Sequence, residues 1–133
     1  MLELAGGSVE VTPASLGNPH AVVFPDEPTR ETLLVLGPGL EAHPRFPERT
    51  NVQIASVEGR HDVRALVWER GAGETSASGS SATAVAAVAI ARGLCDSPVR
   101  VHMPGGDLDV RIELGVATLV GPAEEICCGE TDL

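Results

Sequence analysis

The fold is decided by one stretch with no interior charge, residues 79–92, whose sequence is GSSATAVAAVAIAR. Its side chains are small and mostly apolar all round, so the pattern predicts a helix that is buried on most sides. The many alanines let neighbouring strands pack close to such a helix. Arg92 is its first charged residue, and Gly93 is predicted to cap its C-terminus.

Strand patterns flank this helix on both sides. The clearest are residues 51–57 and 62–69, which a turn joins; the second has apolar residues on both faces, as a central strand does. Further strands are predicted at residues 8–11, 20–24, 98–103, 108–114, 116–120 and 123–128. The chain is therefore predicted to be one α+β domain, residues 1–133, with a mostly antiparallel sheet around one buried helix.

A second, surface helix is predicted to begin at residues 28–31, where a proline and an acidic residue occupy the first turn. Three leucines supply its apolar stripe: Leu33, Leu34 and Leu36. The Gly-Pro-Gly run at residues 37–39 is expected to interrupt it, and a short helical piece at residues 40–43 to follow.

The charge balance excludes several classes of protein. Acidic residues outnumber basic residues 19 to 9, and the formal net charge is -10. A negative field of this size repels phosphate backbones, so we expect no nucleic-acid partner. All nine bases are arginine, which excludes mechanisms that need a lysine, such as Schiff bases. No apolar run approaches the roughly 20 residues that cross a bilayer, so we expect no membrane partner.

Cysteine and histidine usage predicts the compartment and argues against a metal. Cys95, Cys127 and Cys128 are an odd number, and no secretory signal is recognisable. We therefore expect free thiols in a reducing, cytoplasmic setting. The four histidines have no metal-ligand spacing, so no metal site is predicted.

The chemistry is concentrated in residues 69–81 (ERGAGETSASGSS), which lead from a strand into the buried helix. The first N–H groups of a helix lack internal partners, and glycine and serine let a carboxylate or phosphate approach them closely. Arg70 can add a bidentate contact to the same anion. The alternative is a glycine-rich turn that Ser78 or Ser80 caps. Both interpretations remain open from the residues alone.

Two asparagines are further candidates, because each opens a predicted strand. Asn18 lies in Gly-Asn-Pro-His at residues 17–20, and Asn51 follows Arg-Thr. An amide can hold an α-amino acid through one acceptor and two donors without adding charge. Ordinary turn formation explains each asparagine equally well.

Five ordered motifs carry a resemblance to a known family. They are SLGNPHAV at residues 15–22, FPERTNV at 46–52, WERGAGET at 68–75, PGG at 104–106 and GPA at 121–123. In this order and spacing they resemble the C-terminal half of diaminopimelate epimerase, and the resemblance covers nearly the whole chain.

The resemblance implies an isomerase of lysine biosynthesis that interconverts LL- and meso-diaminopimelate without any cofactor. The family fold implies two similar halves, each a sheet around a central helix. One cysteine from each half flanks the α-carbon; one removes its proton and the other returns a proton to the opposite face. The matching positions imply substrate binding by Asn18, Asn51, Glu69, Arg70, Gly79 and Ser80, with His20 supporting the second catalytic position.

Two departures from the family pattern bear on activity. The first half is absent, so its wall of the cleft must come from a partner: the missing N-terminal half or a second copy of this chain. Ser78 stands where the family has its catalytic cysteine. A thiol is readily ionised at a helix N-terminus, whereas a serine hydroxyl needs a separate base, for which His20 is the candidate. Ser78 is either an engineered replacement or a natural variant, and the unusual neighbours Ser80, Ser81 and Thr83 favour natural divergence.

Two hypotheses follow. The first is a half of an epimerase that binds an α-amino dicarboxylate and has impaired catalysis. The second is a non-catalytic or retuned module of the same fold, which binds an amino acid or serves in assembly. In related folds a hydroxyl residue in place of one cysteine goes with elimination chemistry, so Ser78 also leaves open a dehydratase or a one-base isomerase. Because a half exposes the apolar face that normally meets its partner, we expect a homo-oligomer.

Overall fold

The computed structural model describes residues 1–132, which form ten strands and two helices. The strands are β1 (Leu2–Leu4), β2 (Gly7–Val9), β3 (Thr12–Ser15), β4 (Pro19–Val23), β5 (Asn51–Gly59), β6 (Asp62–Glu69), β7 (Gly73–Thr75), β8 (Val99–Met103), β9 (Gly106–Glu113) and β10 (Val116–Val120). The helices are α1 (Arg30–Glu41) and α2 (Gly79–Ala91). The predicted α+β class is confirmed.

One curled sheet carries most of the strands. Its order is β10-β9-β8-β6-β5-β4-β3, and β7 pairs with β6 outside this path. The β4–β5 and β6–β8 pairs are parallel, and the other pairs are antiparallel. Both edge strands, β3 and β10, contact α2. The sheet therefore wraps around that helix, while β1 and β2 form a separate two-stranded sheet.

Helix α2 lies inside the curl of the sheet. It contacts β3, β4, β5, β6, β8, β9 and β10. The side chains of Ala82, Ala84 and Ala86 are completely buried, and their small size lets strands approach the helix axis closely. The helix ends at Ala91 with Arg92 as its C-cap, and Gly93 has the left-handed φ of 72° that favours glycine just beyond a helix.

The sheet has an apolar core on each face. The inner core joins α2 to the sheet, and the outer core joins α1 to the opposite face. Strand β6 contributes to both: Val63 and Val67 lie in the inner core, while Leu66 and Trp68 pack against the outer core. Since β6 also pairs with β5, β7 and β8, its predicted central position is confirmed.

Helix α1 continues through the Gly-Pro-Gly run, so the predicted interruption and the separate piece at residues 40–43 are wrong. Thr29 caps its start, with its side chain accepting from the Thr32 N–H, and Pro38 lies inside the helix. Proline normally interrupts a helix because it removes an N–H donor. Packing outweighs that cost here, since Gly37 and Leu40 are buried against the sheet on either side of Pro38.

The strand predicted at residues 123–128 is also wrong. Residues 121–132 have no regular secondary structure, and every one of them is exposed. Strand β10 is the edge of the sheet on this side, and residues 121–132 pair neither with it nor with another described strand. Within residues 1–132, neither helix is long and apolar enough to cross a membrane.

Gly37 provides a test of the α1–sheet packing. A Cβ added there would lie 2.6 Å from Trp68 Cγ, closer than van der Waals contact, whereas one added at Gly39 would meet Leu4 at 3.5 Å. We expect Gly37→Ala to lower the free energy of unfolding by about 1–3 kcal/mol because of overpacking. Gly39→Ala, the matched control, should be neutral or stabilising by at most about 1 kcal/mol. Urea unfolding followed by the fluorescence of Trp68 measures both, and equal effects would contradict the packing described.

Candidate active site

Asn51 joins the ends of three neighbouring strands. Its Oδ1 accepts from the backbone N–H of Arg70 at 2.8 Å, just beyond β6, and its Nδ2 donates to the carbonyl of Pro19 at 3.2 Å, at the start of β4. Asn51 itself opens β5 and is the register partner of His20. This buried side chain therefore holds the Asn18–His20 segment and the Arg70 turn at one end of the sheet.

Arg70 lies in the tight turn between β6 and β7. Gly71 and Gly73 have left-handed φ values of 79° and 81°, which this turn requires. The Arg70 guanidinium is exposed and donates to the carbonyl of Glu48 at 3.1 Å. The turn thus presents one positive charge to solvent at the end of the sheet.

Glu41, at the end of α1, anchors this turn from the outer face. Its carboxylate accepts from Trp68 Nε1 at 2.7 Å and from the Gly71 N–H at 2.8 Å, and Arg49 lies 3.5 Å away. These two hydrogen bonds, the one from Trp68 first, hold the pKa of Glu41 below its usual 4.5. Only 7% of Glu41 is exposed, so it is a buried carboxylate whose charge is matched by donors.

The first turn of α2 offers backbone N–H groups. Ser78 is the N-cap: its Oγ accepts from the Ser81 N–H at 3.3 Å, and its carbonyl accepts from the Ala82 N–H at 2.9 Å. The N–H groups of Gly79 and Ser80 have no acceptor among residues 1–132. Ser78 therefore caps the helix, and the N–H groups of Gly79 and Ser80 are of the kind that a helix start can offer to an anion.

Two glycines let other segments approach this helix start. A Cβ on Gly79 would lie 2.7 Å from the Leu119 side chain of β10, and a Cβ on Gly105 would lie 3.0 Å from the Ser76 carbonyl. The Gly105 N–H donates to that carbonyl at 2.7 Å. The β8–β9 turn, which contains the PGG motif, is thereby held against the segment that enters α2.

His20 connects the asparagines to the helix. Its Nε2 lies 3.2 Å from Asn18 Oδ1, and its Nδ1 lies 3.0 Å from Gln53 Nε2, which also donates to Ser81 Oγ at 2.8 Å. His20 is 1% exposed. Burial first, and then the positive charge of Arg70, lower the pKa of His20 below its usual 6.5. The imidazole is therefore neutral at neutral pH.

The residues predicted from sequence thus fall into two connected groups. Asn18, His20, Asn51 and Arg70 form the first group, and Ser78, Gly79 and Ser80 form the second at the start of α2. Gln53 and Ser81 link the two. Glu69 stands slightly apart at the end of β6, where its Oε1 accepts from Thr75 Oγ1 at 3.2 Å.

This site is open rather than enclosed. Arg70 and Gly71 are exposed, and Ser78 to Ser80 are half-buried. A cleft of about 510 Å³ lies elsewhere, on the outer sheet face, lined by residues that include Arg100, Asp109 and Arg111. Its lining contains none of the predicted site residues. The polar groups of the network converge at the start of α2 and not at this cleft, so the helix start is the candidate site.

Sequence reasoning missed Gln53 and Glu41. A signal for Gln53 was present, since one amide interrupts the apolar run Val52 to Ala55 in a buried strand. Glu41 carried no such signal. Its burial depends on α1 continuing through Pro38, which the helix-breaking residues around it concealed.

The comparisons with known proteins agree with these motifs. A model of the family described as diaminopimelate epimerase matches residues 12–124. The diaminopimelate epimerase of Stutzerimonas stutzeri is 50% identical over 109 residues, covering 82% of this chain and 40% of the relative. That of Ectopseudomonas mendocina is 44% identical, covering 99% of this chain and 49% of the relative. The chain spans about half the length of the curated relatives it matches.

A solved structure shares the fold. A phenazine biosynthesis protein of the PhzF family from Bacillus anthracis matches with a TM-score of 0.60 over 84% of this chain and 38% of that one, at 16% identity. A curled sheet around one helix thus defines the fold class of this chain. The motif match then specifies the family: the chain belongs to the diaminopimelate epimerase family, whose members are isomerases.

The Glu41 anchor predicts a pH-dependent stability. In Glu41→Gln, an NH₂ group replaces one of the two oxygens that accept from Trp68 Nε1 and the Gly71 N–H, so one of these donors loses its acceptor. The substitution should therefore lower the free energy of unfolding by about 1–3 kcal/mol at neutral pH. A carboxyl with a lowered folded pKa stabilises above its unfolded value, 4.5, and loses that contribution as pH falls through its folded pKa. The difference between wild type and variant should therefore shrink below pH 4.5.

Urea titrations at several pH values measure this difference. Exposed Glu27→Gln is the matched control and should change stability little at any pH. A Glu41→Gln effect that stays constant down to pH 3 would show that the carboxylate does not act through its charge.

Proposed function

We propose that this chain forms one wall of an amino-acid site of the diaminopimelate epimerase type. In this proposal the α-carboxylate of a diaminopimelate-like substrate binds at the start of α2, and a partner supplies the opposite wall. Catalysis by the wall itself is impaired, because Ser78 replaces a thiol. The observation that carries the proposal is the pair of free N–H donors, at Gly79 and Ser80, beside the Arg70 network.

The electrostatics at the helix start support carboxylate binding. The macrodipole gives the N-terminus of α2 a partial positive charge, and its first turn contains no acidic side chain. Arg70 adds a full charge whose field reaches His20. In a chain with a net charge of -10, this local positive potential gives an anion a specific place to bind.

The asparagines support recognition of the rest of the α-amino acid. The Asn51 side chain accepts one hydrogen bond, from the Arg70 N–H, and donates one, to the Pro19 carbonyl. An amide offers two of each, so one lone pair and one N–H remain for a ligand. Asn18 contacts His20, which is the register partner of Asn51, so the two asparagines lie near each other. Glu69 supplies a carboxylate suited to the ammonium group of the substrate.

Impaired catalysis follows from the chemistry of Ser78. A thiol has a pKa of roughly 8.5, which a helix start lowers, whereas a serine hydroxyl does not ionise in this range. Both nitrogens of His20, the candidate base, contact side-chain amides rather than Ser78. Cys95 is buried beside Gly59, at the opposite end of β5, so it does not replace the missing thiol.

A partner wall is part of the proposal. The relatives are about twice as long as this chain, and the missing half is the first candidate for the wall; a second copy of the chain is the other. Exposed apolar side chains on and near β10 favour such an association: Leu114, Val116, Leu119 and Val120. We further propose a cytoplasmic setting, which the three free cysteines support.

One observation favours the second candidate, a binding module without catalysis. Ser78 acts as a helix cap, and its hydroxyl therefore has a structural role that does not require a reaction. The two candidates share the carboxylate site and differ in proton transfer.

Calorimetric titration with diaminopimelate tests the shared site. We expect saturable binding of diaminopimelate and none of 1,5-diaminopentane, which has both amines but no carboxylate. Absence of heat with diaminopimelate, or equal binding of the diamine, would contradict the proposed site.

Proton exchange then separates the two candidates. The chain is mixed with the half of the Ectopseudomonas mendocina relative that it does not match, and LL-diaminopimelate is incubated in D₂O. Ser78→Cys should raise α-deuterium uptake by roughly 10²–10⁴-fold over the wild-type chain. Ser76→Cys, exposed and two residues earlier, is the matched control and should leave uptake unchanged. Rapid deuterium uptake by both wild type and Ser78→Cys would refute impaired catalysis. No deuterium uptake by either protein would favour the binding module.

A further inference from the structure

Gln53 is a buried polar residue that the proposed chemistry leaves unused. It lies on the inner face of β5 and is 0% exposed. Val22, its register partner on β4, and Ala55, two residues along β5, both belong to the inner apolar core. A buried amide is costly unless it is hydrogen-bonded. Its Nε2 contacts His20 Nδ1 at 3.0 Å and Ser81 Oγ at 2.8 Å. An apolar residue would fill this place at lower cost, so the bonds themselves need an explanation.

The direction of the amide follows from its partners. With Nε2 towards His20 and Ser81, both of its hydrogens are donated, and Oε1 alone has no partner among the described residues. The reversed amide would leave an NH₂ group, with two donors, in the unpartnered position. One unpartnered carbonyl is the less costly arrangement.

This direction settles the state of the His20 ring. If Gln53 donates to Nδ1, then Nδ1 carries no proton and the ring hydrogen lies on Nε2. That hydrogen points to Asn18 Oδ1, which accepts it at 3.2 Å. A protonated ring would set an Nδ1–H against the Gln53 NH₂ group. Arg70 is the charged group whose field reaches His20. Residues 78–81 at the start of α2, to which Gln53 links the ring through Ser81, are neutral.

We propose that Gln53 is the positioning residue for His20: it holds the imidazole neutral with its proton on Nε2 and ties it, through Ser81, to the first turn of α2. This inference rests on the proposed function in one respect: the proposed function makes the His20 ring part of an amino-acid site. The resulting chain runs from Asn18 through His20, Gln53 and Ser81 to the Ser78 cap. His20 therefore serves as a donor that orients Asn18, and not as the base for Ser78.

Nitrogen NMR of the histidine rings tests this directly. The full chain is labelled with ¹⁵N-histidine, and long-range ¹H–¹⁵N spectra report which nitrogen of His20 carries the proton. Only four histidines contribute signals. In wild type we expect the Nε2–H form from pH 8 down to below the usual protonation midpoint near 6.5. An Nδ1–H form in wild type would overturn the proposal.

Two variants supply the causal test. Gln53→Glu replaces the donor by an acceptor, so it should move the ring proton to Nδ1 and raise the protonation constant of His20 by at least about tenfold, one pKa unit. Gln53→Met is close in size and has no donor, so it should let both neutral forms exchange. Unchanged His20 signals in both variants would overturn the proposal.

Internal controls separate these effects from misfolding. Both nitrogens of His102 contact carboxylates on the outer sheet face, Asp62 and Asp107, and its signals should be the same in all variants. Ser81→Ala removes the link to α2 but leaves the Gln53–His20 contact, so it should keep the Nε2–H form; loss of that form would overturn the assignment. All spectra are recorded without ligand. If wild type failed to bind diaminopimelate, the proposed function would be refuted, but the protonation state of His20 could still be determined from these spectra.

Discussion

The whole structure depends on how an uncharged, alanine-rich helix packs inside a curled sheet. Seven strands contact α2, and its side chains are too small to hold those strands away. A larger or charged side chain on any buried face of α2 would force the sheet open. Because the helix is surrounded along its length, its N-terminal N–H groups become accessible at one end of the curl, next to the start of β5 and the end of β6.

The site is built by polar crosslinks at that end. Asn51 ties β4 and β6 to β5, Glu41 ties α1 to the β6–β7 turn, and Gln53 ties the strands to α2. Each crosslink is buried and uses side-chain donors and acceptors that would be costly to leave unpaired. The two groups of site residues are therefore held by rigid elements, while Arg70 and Gly71 beside them are exposed.

Much of this architecture could be predicted from the sequence, for physical reasons that differ between elements. Helix α2 and strands β5, β6 and β10 have strong patterns, and their predicted bounds differ from the observed ones by two residues or fewer. The predicted interruption of helix α1 at residues 37–39 is wrong, because the packing of Gly37 against Trp68 is not visible in local propensity. The short strands β1, β3 and β7 form through pairing with neighbours and carry little signal of their own. The motifs predict the site residues as a group, and the structure brings Asn18, His20, Asn51 and Arg70 together at one end of the sheet. The partners that position them, Gln53 and Glu41, emerge only when distant strands meet.

Carboxylate binding at the start of α2 is tested most directly by finding where on the folded chain a carboxylate binds. Amide ¹H–¹⁵N spectra of the wild-type chain are recorded while meso-diaminopimelate is added. We expect saturable shifts that are largest at the N–H groups of Gly79 and Ser80 and extend to Arg70. Shifts confined to the outer-face cleft around Arg100 and Arg111, or no saturable shift at residues 79 and 80, would contradict this expectation.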